Sequence, residues 1–404
     1  MREDWKTAAL ADVCDFFNGL WKGKKPPLVE ADVIRMTNFA EDGTLDYSDV
    51  AHLDVEARQF EKRRLQFGDI ILEKSGGGPR QPVGRVALFD RKDGDFSFSN
   101  FTSAIRVRNQ QELDCRYLHR FLHWTYLSGV TEGMQSHSTG IRNLNGAAYK
   151  CIRIPLPPFA EQRRIVGIVD EAFEGIAAAK ENAQKNLHNA RAVFDSYLSS
   201  VFTKSPDSWM GTTIGEHIRF VDYRGKTPKK TQRGLRLITA KNVKMGYLQE
   251  APREFVAPDS YDGWMTRGIP RRGDVLFTTE APLANVAQLD TDAKVVFAQR
   301  IIIMQPDPSK LDSAFLKYLL LSGPAQQRIH AKGTGATAKG IKASLLKTIA
   351  ISFPASLDEQ LQIVAALNAV NEESQHGVVL NQRKLAALEE LKKSLLYHAF
   401  NGEL

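Results

Sequence analysis

The feature that most constrains this chain is an internal duplication: its two halves repeat one another at an offset of about 200 residues, and a long-period repeat fixes the architecture before any single motif does. Each half opens on a tryptophan and a short amphipathic stretch, WKTAALADVCDF from Trp5 and WMGTTIGEHIRF from Trp209. A basic loop follows, WKGKKPP (Trp21–Pro27) in one half and YRGKTPKK (Tyr223–Lys230) in the other. Next come β-like runs at Val33–Phe39 and Leu235–Val243, then Gly-Asp-apolar strands, GDIIL from Gly68 and GDVLF from Gly273. A short helix is predicted at Tyr117–Trp124 and again at Phe315–Ser322. A Gly/Ser/Thr loop closes each half, SHSTGIRNL (Ser136–Leu144) against KGTGATAKGIK (Lys332–Lys342), followed by a proline-marked strand and an acid-Gln pair, Glu161-Gln162 and Glu359-Gln360. Two α+β domains follow from this pattern, over residues 1–157 and 205–355.

The segments after each domain, residues 158–204 and 356–404, contain no proline beyond Pro158 and read as long helices. In the first, Val166, Val169, Phe173, Ile176, Lys180, Ala183, Leu187, Ala190, Phe194, Tyr197 and Val201 keep a 3,4 spacing that only Lys180 interrupts with a charge. That period is the signature of a coiled-coil seam. The second keeps it less well, with Val364, Leu367, Val378, Leu385, Leu388 and Leu395 apolar and Asn371, Ser374, Asn381 and Lys392 polar. A seam needs a partner, and pairing these two helices antiparallel is the simplest way to supply one. The domains would then sit at opposite ends of struts about 65 Å long, at about 1.5 Å per residue. A helical turn of DNA is about 34 Å. Helices that serve only dimerisation are the alternative.

At 404 residues the chain is long enough for two cores. Its 43% hydrophobic and 25% charged residues exclude disorder, and no apolar run reaches the roughly 20 residues of a spanning helix. The charged start, Met1 to Lys6, has no apolar segment behind it, so a signal peptide is not expected and a cytoplasmic protein is. Cys14, Cys115 and Cys151 are widely separated and expected to be free, partly buried thiols. The formal charge is +7, yet the two helical stretches carry five Lys/Arg against six Asp/Glu and four against seven, a net of −4. The remaining residues therefore hold +11, as a phosphate-neutralising surface requires.

Reading DNA takes cations for phosphates and amides, guanidinium groups or small polar groups for base edges. Three loops per half offer them. In the first half these are Lys22, Lys24 and Lys25; Lys74, Ser75, Gly76, Gly77, Gly78, Arg80, Gln81 and Arg85; and His137, Ser138, Thr139, Arg142, Asn143 and Asn145. Glycine lets the backbone approach a groove, and Arg80 or Gln81 suits a bidentate base contact. In the second half they are Arg224, Lys226, Lys229 and Lys230; Lys241 and Asn242; Thr278, Thr279 and Asn285; and Lys332, Thr334, Thr337, Lys339 and Lys342. Trp5 and Trp209 are expected as core anchors.

Catalytic patterns are missing. Gly333–Gly340 lacks the GxxxxGK[ST] spacing, no GxGxxG unit follows a strand, and HExxH, GxSxG and N/D-P-P-Y/F are absent. Asp69 with Glu73-Lys74 departs from a nuclease pattern, and Asp69 is expected to be a turn residue. His119 and His123 stand i, i+4 without a third ligand nearby, so packing is their expected role and no metal or cofactor is implied.

A domain, an EQ-headed long helix, a second domain and a second EQ-headed helix form a layout that resembles the specificity subunit of Type I restriction-modification systems, over essentially the whole chain. The run KSGGGPRQPVGRV (Lys74–Val86) looks like a motif common in their recognition domains, and Pro157 to Glu161-Gln162 matches their domain boundary. The second half departs from this: one more residue separates Pro354 from Glu359-Gln360, and TTEAPLANVAQL (Thr278–Leu289) replaces the Lys-Ser-Gly-Gly run. The resemblance implies a non-catalytic subunit that reads a split, asymmetric sequence in double-stranded DNA, one half per domain. It also implies docking of two methyltransferase subunits and of restriction/translocase subunits. The competing expectation from the residues is a coiled-coil adaptor whose repeated domains bind proteins.

Overall fold

The Gly-Asp segments become the central strands of a four-stranded antiparallel sheet that forms once in each half. The computed structural model describes residues 5–21, 25–78, 81–138, 141–204, 206–223, 227–298, 300–335 and 339–404. It divides into two units, Met1–Ala183 with Arg383–Leu404, and Gln184–Gln382. The fold is α+β and internally repeated.

In the first unit the strand order is Cys14–Asn18, Thr102–Val107, Ile70–Glu73, Val86–Leu88. Successive side chains of a strand point to opposite faces, and both faces are covered here. Ile70, Leu72, Val86 and Ile105 pack with Tyr117, Leu118, Phe121 and Leu122 of the helix Cys115–Leu127. Ile71, Ala87 and Ala104 pack with Ile34, Phe39 and Phe98 beneath a second, mixed sheet of Ala51–Glu56, Leu28–Ile34 and Phe96–Phe98. The second unit repeats this. Ile218–Asp222, Ile301–Pro306, Val275–Thr278 and Val286–Gln288 form the antiparallel sheet, whose Val275, Phe277, Ile302 and Met304 face the helix Ser313–Leu321. Leu276, Ala287 and Ile303 face the other core.

The β-like runs at Val33–Phe39 and Leu235–Val243 are cut short, at Ile34 and Ile238. Buried asparagines fold the chain there. Asn38 Oδ1 accepts from Arg35 N–H while its amide donates to Asp46 O and Asp49 O. Asn242 Oδ1 accepts from Thr239 N–H while its amide donates to Gln249 O and Pro252 O. The Gly-Asp turns also match. Gly68 and Gly273 take φ of +88° and +92°, a region open to glycine, and Asp69 and Asp274 accept from Gln66 N–H and Arg271 N–H at 2.8 Å. Asp69 is thus the expected turn residue, and its buried carboxylate is held by both ends of the Arg106 guanidinium. Trp5 and Trp209 are buried, the latter against Phe202 and Phe315. Cys14, Cys115 and Cys151 are free, and burial pushes the Cys14 thiol up to about 12.

Each repeat is closed by pairing its first strand with its last, Lys6–Ala9 with Arg153–Leu156 and Met210–Thr213 with Ala350–Phe353. The long helices Phe159–Thr203 and Leu357–Asn401 then begin, 45 residues each. Gln162 and Gln360 fix where they start. Both side chains are fully buried. Gln162 Oε1 accepts from Asp114 N–H at 2.9 Å, and its amide donates to Glu112 O and Pro157 O. Gln360 Oε1 accepts from Asp312 N–H at 2.8 Å, and its amide donates to Lys310 O and Pro354 O. Asp114 and Asp312 in turn cap the domain helices.

Segments of the two long helices pack antiparallel within each unit. In the first, Val166, Val169 and Ile176 are buried, and Phe173 lies under two cations, Arg120 and Lys392, 4.9 and 4.7 Å from its ring. Lys180, the charge in the seam, pairs with Glu389. In the second unit Val364, Leu367 and Val378 are buried, and Ser374 Oγ donates to Ala190 O at 2.6 Å. The seam departs from the predicted one at the ends. Leu187, Phe194, Val201, Leu385, Leu388 and Leu395 are half-buried and Tyr197 is exposed, while Leu198, Phe202, Leu396, Ala399 and Phe400 take the core positions. A helix of 3.6 residues per turn drifts about 20° per heptad from a 3.5-residue repeat, so the buried stripe moves on by one residue. Among the described residues no helix is long and apolar enough to cross a membrane.

Gln360→Leu leaves two carbonyls and one N–H without partners. A loss of about 2–4 kcal/mol of stability is expected, read as a lower urea midpoint, with faster hydrogen exchange at the start of Ser313–Leu321. An unchanged midpoint contradicts the clamp.

Candidate nucleic-acid interface

The second and third loops of the first unit are one structure. The strand Ser75–Gly77 pairs with Ile141–Leu144, which pairs with Gln135–Ser138, making a three-stranded sheet of the two segments singled out in the sequence. Ser75 Oγ donates to Asn143 Oδ1 at 2.5 Å, and Leu144 N–H donates to Lys74 O. Lys74 Nζ reaches Asn18 Oδ1 at 2.9 Å, which ties this sheet to the strand that enters the first basic loop; burial lowers the Lys74 pKa. Gly76 takes φ +104° and is exposed. Lys25, Gln81 and Ile141 are exposed and Arg142 half-buried. Lys22, Lys24, Arg80 and Thr139 lie outside the described residues, as do the side chains of His137 and Ser138.

The second unit brings its loops together in the same way. Thr334 and Gly340 exchange two backbone hydrogen bonds, Gly340 bridges Glu280, and Ile341 N–H donates to Thr279 O. Beside them is a cleft of about 190 Å³ whose lining includes Lys230, Lys241, Ala281 and Arg300. Lys229, Lys241, Lys339 and Lys342 are exposed and make no ion pair among the described residues, whereas Lys230 pairs with Glu254 at 2.8 Å and Lys332 donates to Thr348. Thr334 is exposed. Arg224, Lys226 and Thr337 lie outside the described residues.

Several candidates have other work. Gly77 is buried, and a Cβ there would meet Gln81 O at 2.7 Å, so it serves close packing. Arg85 is spent on the buried Glu73 at 2.8 Å, on the face of Phe39, and on the Gln81 amide turned to accept from it. Asn242 is the buried loop staple described above. Thr278 and Thr279 are buried, with hydroxyls donating to Pro282 O and Arg300 O, and the Asn285 amide donates to Val243 O. Asn145 caps the helix Gly146–Lys150. Small polar residues in these turns satisfy the backbone before any ligand.

Four residues of the surface escaped the sequence reading: Asn18, Trp21, Glu280 and Arg300. Trp21 is 67% exposed at the edge of a cationic loop, unlike its counterpart Tyr223, which is buried and donates to Gly268 O. Arg300 Nε donates to Glu280 Oε1 at 2.9 Å. Aligning the Gly-Asp strands puts Glu280 opposite Ser75, which was the available signal. Among the described residues no group of three or more His, Cys, Asp or Glu could hold a metal ion.

The profile of the Type I restriction modification DNA specificity domain matches residues 2–187 and 266–389. The chain belongs to this DNA specificity family. The loops from Lys74 and from Thr278 fall inside the match, and Tyr223–Lys230 and Lys241 outside it. The Type I restriction enzyme MjaVIII specificity subunit of Methanocaldococcus jannaschii is 22% identical across 100% of this chain and 93% of its own length. The StySPI specificity subunit of Salmonella potsdam is 24% identical, over 100% and 89%. A solved chain from structural work on complex assembly and conformational transition of the type I R-M system superposes with a TM-score of 0.79 at 20% identity, over 100% of this chain and 99% of that one. The HsdS subunit from Thermoanaerobacter tengcongensis gives 0.64 at 18% identity, over 100% and 98%. The fold is theirs.

In this specificity-domain chain the helix behind the first sheet carries two buried histidines. His119 and His123 are each 3% exposed, their rings are 6.1 Å apart, and neither Nε2 has a partner among the described residues. Gly43, at φ +85°, leaves them room: a Cβ there would sit 2.8 Å from His119 Nε2. Burial, with Arg120 adding repulsion, holds the His119 pKa down to about 3, and burial with His119, Lys392 and Arg120 nearby holds that of His123 well below its ordinary value. Both are packing residues that fold neutral. Their contribution is complete above the unfolded pKa of about 6.5 and is lost as pH falls toward the folded values, by up to about 1.4 kcal/mol per pH unit per histidine. The melting temperature is therefore expected to drop between pH 7 and pH 5, and to drop less in His123→Phe. Equal pH dependence in the two proteins contradicts this.

Proposed function

We propose that this chain is the DNA-recognition subunit of a Type I restriction-modification enzyme and reads a bipartite, asymmetric duplex target. Residues 1–157 and 205–355 act as the two recognition domains, and 158–204 and 356–404 as helices that set the gap and carry companion subunits. The observation that supports this best is the repeated loop frame: two copies of one scaffold, in a DNA specificity family, present different polar and cationic side chains. Phosphates are met by the exposed lysines, Lys25 in the first domain and Lys229, Lys241, Lys339 and Lys342 in the second. Base edges are met by Ser75, Gln81, Arg142 and Asn143 in the first and by the Thr334 loop in the second.

The chemistry of methyl transfer and cleavage belongs, in this reading, to two methyltransferase subunits and to restriction/translocase subunits, with this chain non-catalytic and the assembly cytoplasmic. A protein-binding adaptor would show no dependence on duplex.

Binding to duplex DNA, measured from 50 to 300 mM salt, is expected to weaken linearly in log–log form. Lys241→Ala should reduce the slope by about 1, the share of one phosphate contact. The purified chain alone should transfer no methyl group from S-adenosylmethionine. Binding that ignores salt, or methylation by the isolated chain, overturns the proposal.

A further inference from the structure

The two units build one loop frame and finish it with different side chains. In the first, Lys74 N–H and Ser75 N–H donate to Phe101 O, and Leu144 N–H donates to Lys74 O. In the second, Thr279 N–H donates to Arg300 O and Ile341 N–H to Thr279 O, both at 2.9 Å. Ser75 is bridged to Asn143, and Glu280 to Gly340. Position by position, Ser75, Asn143 and Phe101 thus correspond to Glu280, Gly340 and Arg300. The buried members of the frame repeat their roles while these three change chemistry completely, which is what two readers of different sequences need.

Glu280 and Arg300 are also held in an unusual way. Arg300, Ala281 and Ala284 take φ of +79°, +47° and +68°, a left-handed region that costs energy in any residue but glycine and persists where surrounding contacts impose it. Arg300 is imposed on by the Thr279 hydrogen bond and lines the cleft with Lys230 and Lys241. Its guanidinium and the Glu280 carboxylate are each about half exposed. The Glu280 carboxylate, held by Arg300 next to this cleft, repels phosphate but can accept from a base-edge donor. Cytosine N4 is such a donor in the major groove, and the guanine paired with it presents O6 and N7 to an arginine fork. In the free protein each satisfies the other. Gly340 leaves the carboxylate room, since a Cβ there would come within 3.3 Å of Glu280 Cβ.

We infer that Glu280 and Arg300 are specificity-determining residues that together read one G·C pair in the half-target bound by the second domain. The inference rests on the DNA-recognition reading above.

The test uses the methyltransferase assembled with its companion subunits, methylating duplexes randomised one position at a time through the target. Arg300→Gln and Glu280→Gln should each lower discrimination at the same G·C position by roughly 10- to 100-fold, leaving the other half-target as before. Arg300→Lys, which keeps the charge and loses the fork, should lose the same discrimination, with a thermal melt like that of the unaltered assembly. Lys241→Ala should slow methylation of all sequences alike. If Arg300→Gln also slows all sequences alike, Arg300 is a phosphate contact and the inference fails while the recognition reading stands. If the unaltered assembly has no sequence preference, both fall.

Discussion

Two buried glutamines hold this protein's architecture in place. A primary amide donates two hydrogen bonds and can accept two, and Gln162 and Gln360 use both donors and one acceptor site on backbone groups from the loop before a domain helix and from the proline-marked end of the last strand. Leaving such groups unpaired in a water-free site is costly, so the register between each domain and its long helix has no close competitor. The domain helix, capped by the aspartate whose N–H the glutamine receives, then aligns the sheet that packs on it, and the sheet carries the loops. What the loops present therefore depends on an interaction far from them in the chain.

The frame above that clamp is a layered one: a sheet buried on both faces, with alternate residues feeding two cores. The buried aspartates of the two Gly-Asp turns are paired, Asp69 with Arg106 and Asp274 with Gln305, although burial still raises the Asp274 pKa. Such rigidity suits a surface that must hold a few side chains in register with base edges. At the rim, Ser75, Asn143 and Phe101 in one unit stand where Glu280, Gly340 and Arg300 stand in the other.

The duplication, the Gly-Asp strands, the tryptophan anchors and the two long helices were legible because each leaves a periodic or repeated trace in the residues. The role of Gln162 and Gln360 was visible only as a boundary, since nothing in a dipeptide says which carbonyls its amide will meet. Strand ends were misjudged where Asn38 and Asn242 turn the chain, because a buried asparagine and a base-reading one look alike in sequence. The same ambiguity makes Arg85, Thr278, Thr279 and Asn285 look like DNA contacts, whereas Thr278 and Thr279 are buried and the half-buried Arg85 and Asn285 bond to Glu73 and Val243 O. Arg300 was missed for the opposite reason: it sits at the start of an apolar strand, and only the backbone conformation turns that position into part of the cleft.

The central claim is that each module reads its own half of the target independently of its neighbour. Replacing residues 1–157 by residues 205–355 gives a chain with two copies of the second module, and sequencing the methylated bases in cells carrying it with its companion subunits measures the outcome. The account predicts a methylated motif whose two halves are now alike, both being the half previously read by the second module. Retention of the original unlike halves would contradict it.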